Sequence, residues 1–329
     1  MKTDKVRDID DYKGTVKDAV IVTASSNEYF PWLLNMIGSI QRNYPGHPPI
    51  FVYSIDLRKS YINELRSICG VTVKRIPPFV SHWNRCYTWK PWVMNDVPGR
   101  IVYFLDAASE VLRPLTEIFE FIDKDGCFCV SQISFKYLLR DITPQDLLER
   151  LGLDMDFCKE REYFGSGNFG FKKGTLYHDC VKEVLELAKE GWTLGWSSGE
   201  QNRNKGHGAC DIVRDCKVFR HEQTLLNLLF YQKCGNFKIH DENRYAGFLS
   251  RDLHPGQLVW NSRKKNKELI YLNKLRYKNP LYIFEFLINR FHFLKMGIGL
   301  QKYKQSAIYR RLIHPVYNTI FLRRKNPGR

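Results

Sequence analysis

Apolar and polar positions in the first third of the chain follow two periods in turn. Ala19-Val20-Ile21-Val22-Thr23-Ala24 is a short apolar run ending in small polar residues, the pattern of a strand buried in a parallel sheet. Residues 30–44 place Trp32, Leu33, Met36, Ile37 and Ile40 at helical spacing, and Pro45-Gly46-His47-Pro48-Pro49 stops the helix. Residues 50–55 form a second apolar run with Asp56 at its carboxyl end. Residues 61–69 predict a second helix closed by Gly70, and Val71-Thr72-Val73 a third short strand. A β-α-β-α-β order implies right-handed crossovers and a doubly wound sheet.

Further along, Tyr87-Thr88-Trp89-Lys90-Pro91-Trp92 leads into a helix-like turn. Residues 100–105 are the most hydrophobic strand so far, ending at Asp106-Ala107-Ala108-Ser109. Residues 127–131 predict another strand. Residues 143–151 predict a helix with Thr143 as N-cap and Pro144 at its first position. Residues 164–171 read as a glycine-rich turn entering a strand, residues 176–190 as an amphipathic helix, and residues 221–231 as a further helix. Residues 197–208 are polar and glycine-rich, the composition of a mobile loop. Ligands of open α/β sheets bind at the carboxyl ends of strands, so Thr23, Asp56 and Asp106 are expected on one rim.

Several residues carry candidate chemistry, each beside a plainer reading. Asp106, at the end of a buried strand, can reach a metal ion or a ribose hydroxyl, or else cap a turn. Lys90 reads as an ammonium set against a diphosphate, or as a surface lysine between two packed tryptophans. Gly165-Ser166-Gly167-Asn168-Phe169-Gly170 has the form G-x-G-x-x-G but lies outside the first βα unit, which rejects a dinucleotide site. Its glycines let the backbone pass close to a bound sugar, or make a plain tight turn. Glu222, in Arg220-His221-Glu222-Gln223, opens a helix whose dipole favours a carboxylate. It reads as a base, an acceptor of sugar hydroxyls, or a cap. His254, in a turn with Pro255 and Gly256, reads as a metal or phosphate ligand or as a solvent-facing loop histidine.

Charge changes the picture for the end of the chain. The net charge is +16 over 329 residues, yet residues 261–329 carry 17 Lys/Arg against Glu268 and Glu285, which leaves the preceding residues near neutrality. Basic clusters at Arg263-Lys264-Lys265, Arg310-Arg311 and Arg323-Arg324-Lys325 flank an apolar stretch at 280–300 broken by Glu285, Arg290 and Lys295. This pattern predicts an interfacial amphipathic helix on an anionic membrane, each basic residue contributing about 1 kcal/mol. The alternatives are a domain-capping helix pair and nucleic-acid binding. No nucleic-acid reading module is recognisable, so nucleic acid is not an expected partner. No run of about 18 uncharged apolar residues predicts a spanning helix, and residues 1–17 are polar and charged, without the features of a secretory signal. The nine cysteines are an odd number without zinc-like neighbours and read as reduced core thiols, Cys127 and Cys129 among them. A cytoplasmic protein held peripherally at the inner face of the membrane is expected.

The order of elements, together with Trp89-Lys90-Pro91, Leu105-Asp106, Gly165 to Gly170 and Arg220-His221-Glu222-Gln223, resembles GT-A glycosyltransferases, and within them a small group sharing these four motifs. The resemblance spans roughly residues 18–260 and is distantly similar to glycogenin-like transferases. It implies a Rossmann-like, mostly parallel α/β sheet flanked by helices, with a basic helical C-terminal extension. The organisation expected is a leader at 1–17, a transferase domain at 18–260 (nucleotide-sugar half 18–115, acceptor half 116–260) and an extension at 261–329. The reaction implied is transfer of a sugar from a nucleotide diphosphate, a UDP-sugar above all, to a glycan or lipid-linked acceptor in surface polysaccharide or lipopolysaccharide assembly. A non-catalytic, membrane-associated binding protein of the same fold is the alternative.

The same resemblance implies site roles. Thr23, Ala24 and Ser25 would line the nucleotide site, Asp56 would contact base or ribose, and Lys90 would face the diphosphate. Ser109, Gly167 and Asn168 would join the donor site, and Glu222 would lie near the sugar as a candidate base. Asp106 would be the first carboxylate of a D-x-D motif holding Mn²⁺ or Mg²⁺, with His254 completing the metal site. Such an ion would neutralise the leaving group. The chain departs from the pattern at the second acidic position, which is Ala108. Glu110 would substitute if the strand persisted that far; otherwise the metal would be held more weakly, or cationic side chains such as Lys90 would do the neutralising.

Overall fold

A computed structural model of the protein describes residues 17–132, 136–199, 210–247 and 256–261. The chain divides into two units, Met1–Lys265 and Asn266–Arg329, and all described residues belong to the first. The expected leader up to residue 16, most of the polar loop at 197–208, and the basic tail beyond residue 261 lie outside the described residues.

Strands β1 (Ala19–Ser25), β2 (Ile50–Ser54) and β3 (Val71–Arg75) alternate with helices α1 (Phe30–Asn43) and α2 (Lys59–Arg66). Helix α3 (Trp89–Asp96), β4 (Ile101–Leu105), β5 (Glu110–Val111), α4 (Thr116–Asp125) and β6 (Cys127–Ser131) follow. Short helices α5 (Leu139–Ile142), α6 (Gln145–Leu151) and α7 (Met155–Cys158) lead to β7 (Phe164–Lys172) and α8 (Leu176–Lys189). The remainder comprises β8 (Trp196–Ser197), β9 (Val213–Arg214), α9 (Glu222–Leu229) with a π-helical turn at Phe230–Cys234, β10 (Ile239–His240), α10 (Glu242–Tyr245) and β11 (Val259–Trp260).

Seven strands make one sheet in the order β10-β6-β7-β4-β1-β2-β3. Six run parallel, and β7 runs antiparallel between β6 and β4. This is the mostly parallel, helix-flanked sheet expected of a GT-A-type chain. Every residue of β1, β2 and β4 is buried, which is why these strands read as continuous apolar runs. Val20, Val22, Val102 and Phe104 join the core of α3, α8 and α9 on one face. Tyr103 turns to the other face, its ring edge against Phe119 of α4. Helix α9 is buried at all eight positions, so it runs through the core.

Three expectations are corrected. Residues 164–171 are a strand along their whole length, because their backbone bonds to both β4 and β6; glycine content had suggested a turn. Thr143 does not cap the helix after it: its hydroxyl donates back to the carbonyl of Leu139, 2.8 Å away, and α6 begins at Gln145 with Pro144 as its N-cap. The helix expected at 221–231 changes pitch after Leu229 and continues as the π turn.

His240 of β10 lies among Phe121, Phe128 and Tyr245, with ring centroids 4.5, 4.7 and 5.4 Å away. Burial, with Lys238 in support against Asp125 and Glu117, pulls its pKa from 6.5 down to about 4. Burial does the same to His178 on α8, also to about 4. The unfolded chain therefore takes up protons at these imidazoles that the folded chain refuses, and stability falls as pH drops from 6.5 towards about 4. His240→Phe should keep the fold and flatten this slope, measured as unfolding midpoint against pH. An unchanged slope in both His240→Phe and His178→Phe would refute the assignment.

Candidate active site

Four elements bring their polar side chains to one place. Lys90 is the second residue of α3, Asp106 follows the last residue of β4, Ser166 lies in β7, and Glu222 is the first residue of α9. The Lys90 ammonium is 3% exposed and lies 3.2 Å from Glu222 Oε1 and 3.6 Å from Asp106 Oδ1. It also donates to Ser166 Oγ at 3.1 Å, Ser166 donates to Glu222 Oε1 at 2.7 Å, and the Phe104 ring lies 4.4 Å beneath the ammonium. The surface-lysine reading of Lys90 is thus overturned: the sheet covers it.

The two carboxylates differ in kind. Glu222 is buried, while the Asp106 side chain is 50% exposed. Burial raises the Glu222 carboxyl above its ordinary value, and the Lys90 charge and the Ser166 hydroxyl pull against that rise. The ammonium's hydrogen bonds go to Ser166 and Glu222. Asp106, at 3.6 Å, is an ion-pair partner beyond hydrogen-bond length. The exposed half of the Asp106 side chain is thus the part of this cluster that faces solvent.

The glycines of β7 make room for this cluster. A Cβ on Gly167 would lie 2.3 Å from Asp106 Oδ2, and one on Gly165 would lie 2.4 Å from Gln132 Nε2. Gln132 in turn accepts a hydrogen bond from Gln223 at 3.0 Å. Ser166, Gln132 and the amide of Gln223 were missed as site residues in the sequence. The serine between two glycines and the glutamine inside Arg220-His221-Glu222-Gln223 were their available signals.

Backbone strain flanks both anchoring helices. Cys86 and Tyr87, just before α3, have φ of 45° and 59°, and His221, just before α9, has φ of 53°. Left-handed geometry in such residues costs on the order of 1–3 kcal/mol each and persists where surrounding contacts impose it. Here Thr193 takes both sides: its hydroxyl is 2.6 Å from that of Thr88, and its carbonyl accepts from His221 Nδ1 at 3.0 Å. The His221 ring also packs edge-on against Trp196, with centroids 4.3 Å apart.

Other expected site residues lie apart from the ammonium. Thr23 is fully buried and its hydroxyl has no hydrogen-bond partner among the described residues. Ala24 and Ser25 complete β1, and the Ser25 hydroxyl donates to the Ser26 carbonyl at 3.0 Å. Asp56 caps the same rim from β2, accepting the Asn27 backbone N–H at 2.6 Å. The Ser109 hydroxyl is engaged by Asn261. Asn168 turns into the core, joined to the Tyr103 hydroxyl and the Tyr245 carbonyl. His254 lies outside the described residues.

The described residues do not assemble a site for a divalent ion. The strand does not persist to Glu110: the chain turns at Asp106, where the Ser109 N–H bonds back to the Asp106 carbonyl at 3.0 Å. Glu110 then enters a separate ribbon with β11, and Ala108 offers no ligand. No group of three or more His, Cys, Asp or Glu among the described residues could hold a metal. The cation beside Asp106 is the ammonium of Lys90.

A family described as "Protein of unknown function (DUF1647)" matches residues 1–95, which include β1 to β3 and Lys90. No curated protein matches the chain. Among solved structures, the apo form of the glycosyltransferase GlyE in Streptococcus pneumoniae TIGR4 is similar at 13% identity and a TM-score of 0.45, over 74% of this chain and 54% of that one. The galactosyltransferase LgtC, in complex with donor and acceptor sugar analogs, is similar at 15% identity and a TM-score of 0.41, over 73% of this chain and 86% of that one. The bifunctional glycosyltransferase WbbM, in its apo structure, is similar at 16% identity and a TM-score of 0.42, over 66% of this chain and 38% of that one. The chain spans 45–54% of the length of the GlyE chains.

Proposed function

We propose that the protein is a glycosyltransferase that moves a sugar from a nucleotide diphosphate onto a glycan or lipid-linked acceptor. The observation that supports this most is the buried Lys90 ammonium, held by Glu222 and Ser166 with Asp106 on its open side. Transfer breaks the bond between the anomeric carbon and a phosphate oxygen, so negative charge grows on the departing diphosphate. A fixed cation aimed at that oxygen lowers the barrier without reorganising at the moment of reaction. Lys90 fills this role, Asp106 accepts hydroxyls of the donor, and Asp56 lines the nucleotide rim at which buried β1 ends with Thr23, Ala24 and Ser25. Glu222, raised by burial, takes the proton of the attacking acceptor hydroxyl.

A UDP-sugar is the first donor to try. The acceptor reading follows the basic stretch at 261–329, which suits a surface glycan assembled at an anionic membrane. Ala108 favours the second reading, a binding protein that holds the nucleotide sugar without turnover.

Thermal unfolding with a panel of nucleotide diphosphates and nucleotide sugars, with and without Mn²⁺, tests the proposal. A ligand at about 100 times its Kd stabilises by about 2.7 kcal/mol. We expect a shift for one base, lost in Asp106→Ala. Absence of a shift with every nucleotide sinks the proposal, and a shift without sugar release or transfer selects the binding protein.

A further inference from the structure

The clearest unassigned chemistry lies behind the site, where α8 meets the π turn that continues α9. The Sγ atoms of Cys180 and Cys234 are 3.6 Å apart, and all nine cysteines are free thiols. The two are unlike. Cys180 is fully buried, and its thiol also lies 3.7 Å from the Leu229 carbonyl, where the α-helix gives way to the π turn. Cys234 is half-buried at the end of that turn. Its neighbour Lys233 pairs with Glu183, three residues beyond Cys180 on α8, so a second contact fixes the approach of the two segments.

We infer that Cys180 and Cys234 are a redox-modification site, a dithiol that peroxide converts reversibly to a disulfide. Cys234 is the attacking group. It is the more accessible of the two, and the Cys180 thiol and Lys233 hold its pKa below the usual thiol value. Its thiolate takes an oxygen atom from the peroxide, leaving a sulfenic acid and, from hydrogen peroxide, water. The Cys180 sulfur then attacks the sulfenic sulfur, the S–S bond forms, and a second water leaves with the Cys180 proton. Two thiols are oxidised and one peroxide is reduced to two waters.

Bond formation draws the sulfurs from 3.6 Å to about 2.05 Å and removes the donor at the Leu229 carbonyl. It covalently joins α8 to the continuation of α9, the helix that begins with Glu222. Because the bridge closes a long loop, the unfolded chain loses freedom and the oxidised form unfolds at higher temperature.

The test treats the reduced full chain with hydrogen peroxide and reads intact mass, free thiols, non-reducing peptide maps and the unfolding midpoint. The expected result is loss of two hydrogen atoms and two thiols, a single cross-linked pair containing Cys180 and Cys234, and a raised midpoint that dithiothreitol reverses. Cys234→Ser, at the half-buried position, should fold and show none of these, and Cys180→Ala gives the same reading from the other side. Oxygen added to Cys234 without a cross-link, a cross-link that omits either residue, or a midpoint shift that survives in Cys234→Ser overturns the inference.

Discussion

Lys90→Met lowers stability at neutral pH by about 3–5 kcal/mol, the range for breaking one side of a buried ion pair, and removes the stabilisation by nucleotide sugars. The physical reason is Glu222. Its carboxylate is buried and its charge partner, 3.2 Å away, is Lys90. Asp106 suffers less, because half of its side chain faces water and solvent screens what is lost. Without the ammonium, Glu222 must either remain charged in a dry site or bind a proton, so its already raised pKa rises further. A carboxyl whose folded pKa lies above its unfolded value favours the fold at low pH and loses that support as pH climbs through the folded pKa. The deficit of Lys90→Met is therefore larger at pH 7 than at pH 5. Glu222→Gln in the Lys90→Met background should restore much of the stability without restoring ligand binding. Chemical denaturation of the unaltered chain, Lys90→Met and the double variant at both pH values checks this, and an equal deficit at the two pH values would show that Glu222 is not the source.

Gly167→Ala should do the reverse, harming function while leaving the fold nearly unchanged. The added Cβ would meet Asp106 Oδ2 at 2.3 Å, so the carboxylate must move. It can, because its outer side is open, and the expected change in stability is under about 1 kcal/mol. Asp106 then leaves its place opposite Lys90, and a displacement on the order of 1 Å in a positioned group costs about 100-fold in rate. The contrasting variant is Gly170→Ala, whose Cβ would lie 2.2 Å from Ile122 Cδ1 in the core. That one should unfold more readily, because a packed core resists an added methyl. Donor affinity, transfer rate and unfolding midpoint of the two variants separate these effects. If Gly167→Ala transfers sugar as fast as the unaltered chain, Asp106 has no positional role.

Local pattern was enough for strands β1 to β4. Strands β1, β2 and β4 are buried on both faces, so they read as apolar runs with small polar residues only towards the ends of β1 and β2, and α1 is buried over most of its length. Such constraints act on neighbouring residues and are legible one segment at a time. The rim positions of Asp56 and Asp106 follow from the same logic, since a polar residue ending an apolar strand marks its carboxyl end. The glycine-rich stretch misled because glycine reports freedom of the backbone and not its use. In β7 the glycines clear space for Asp106 and Gln132, which follow the ends of β4 and β6, a demand set by residues distant in sequence.

Position in space decided what the site is. Nothing in the sequence near Lys90 distinguishes a surface lysine from a buried ammonium; the difference arises because β7 and α9, about 75 and 130 residues later in the chain, close over it and supply Ser166 and Glu222. The fate of Glu110 was likewise invisible, since its departure from the rim depends on pairing with β11 near the end of the described residues. The thiol pair of Cys180 and Cys234 shows no spacing signal because two helical segments, not one, bring the sulfurs together. Burial pattern and strand ends are local properties that sequence records directly. The partners of a buried charge are long-range, because desolvation makes each such group depend on whatever the folded chain places within a few ångströms of it.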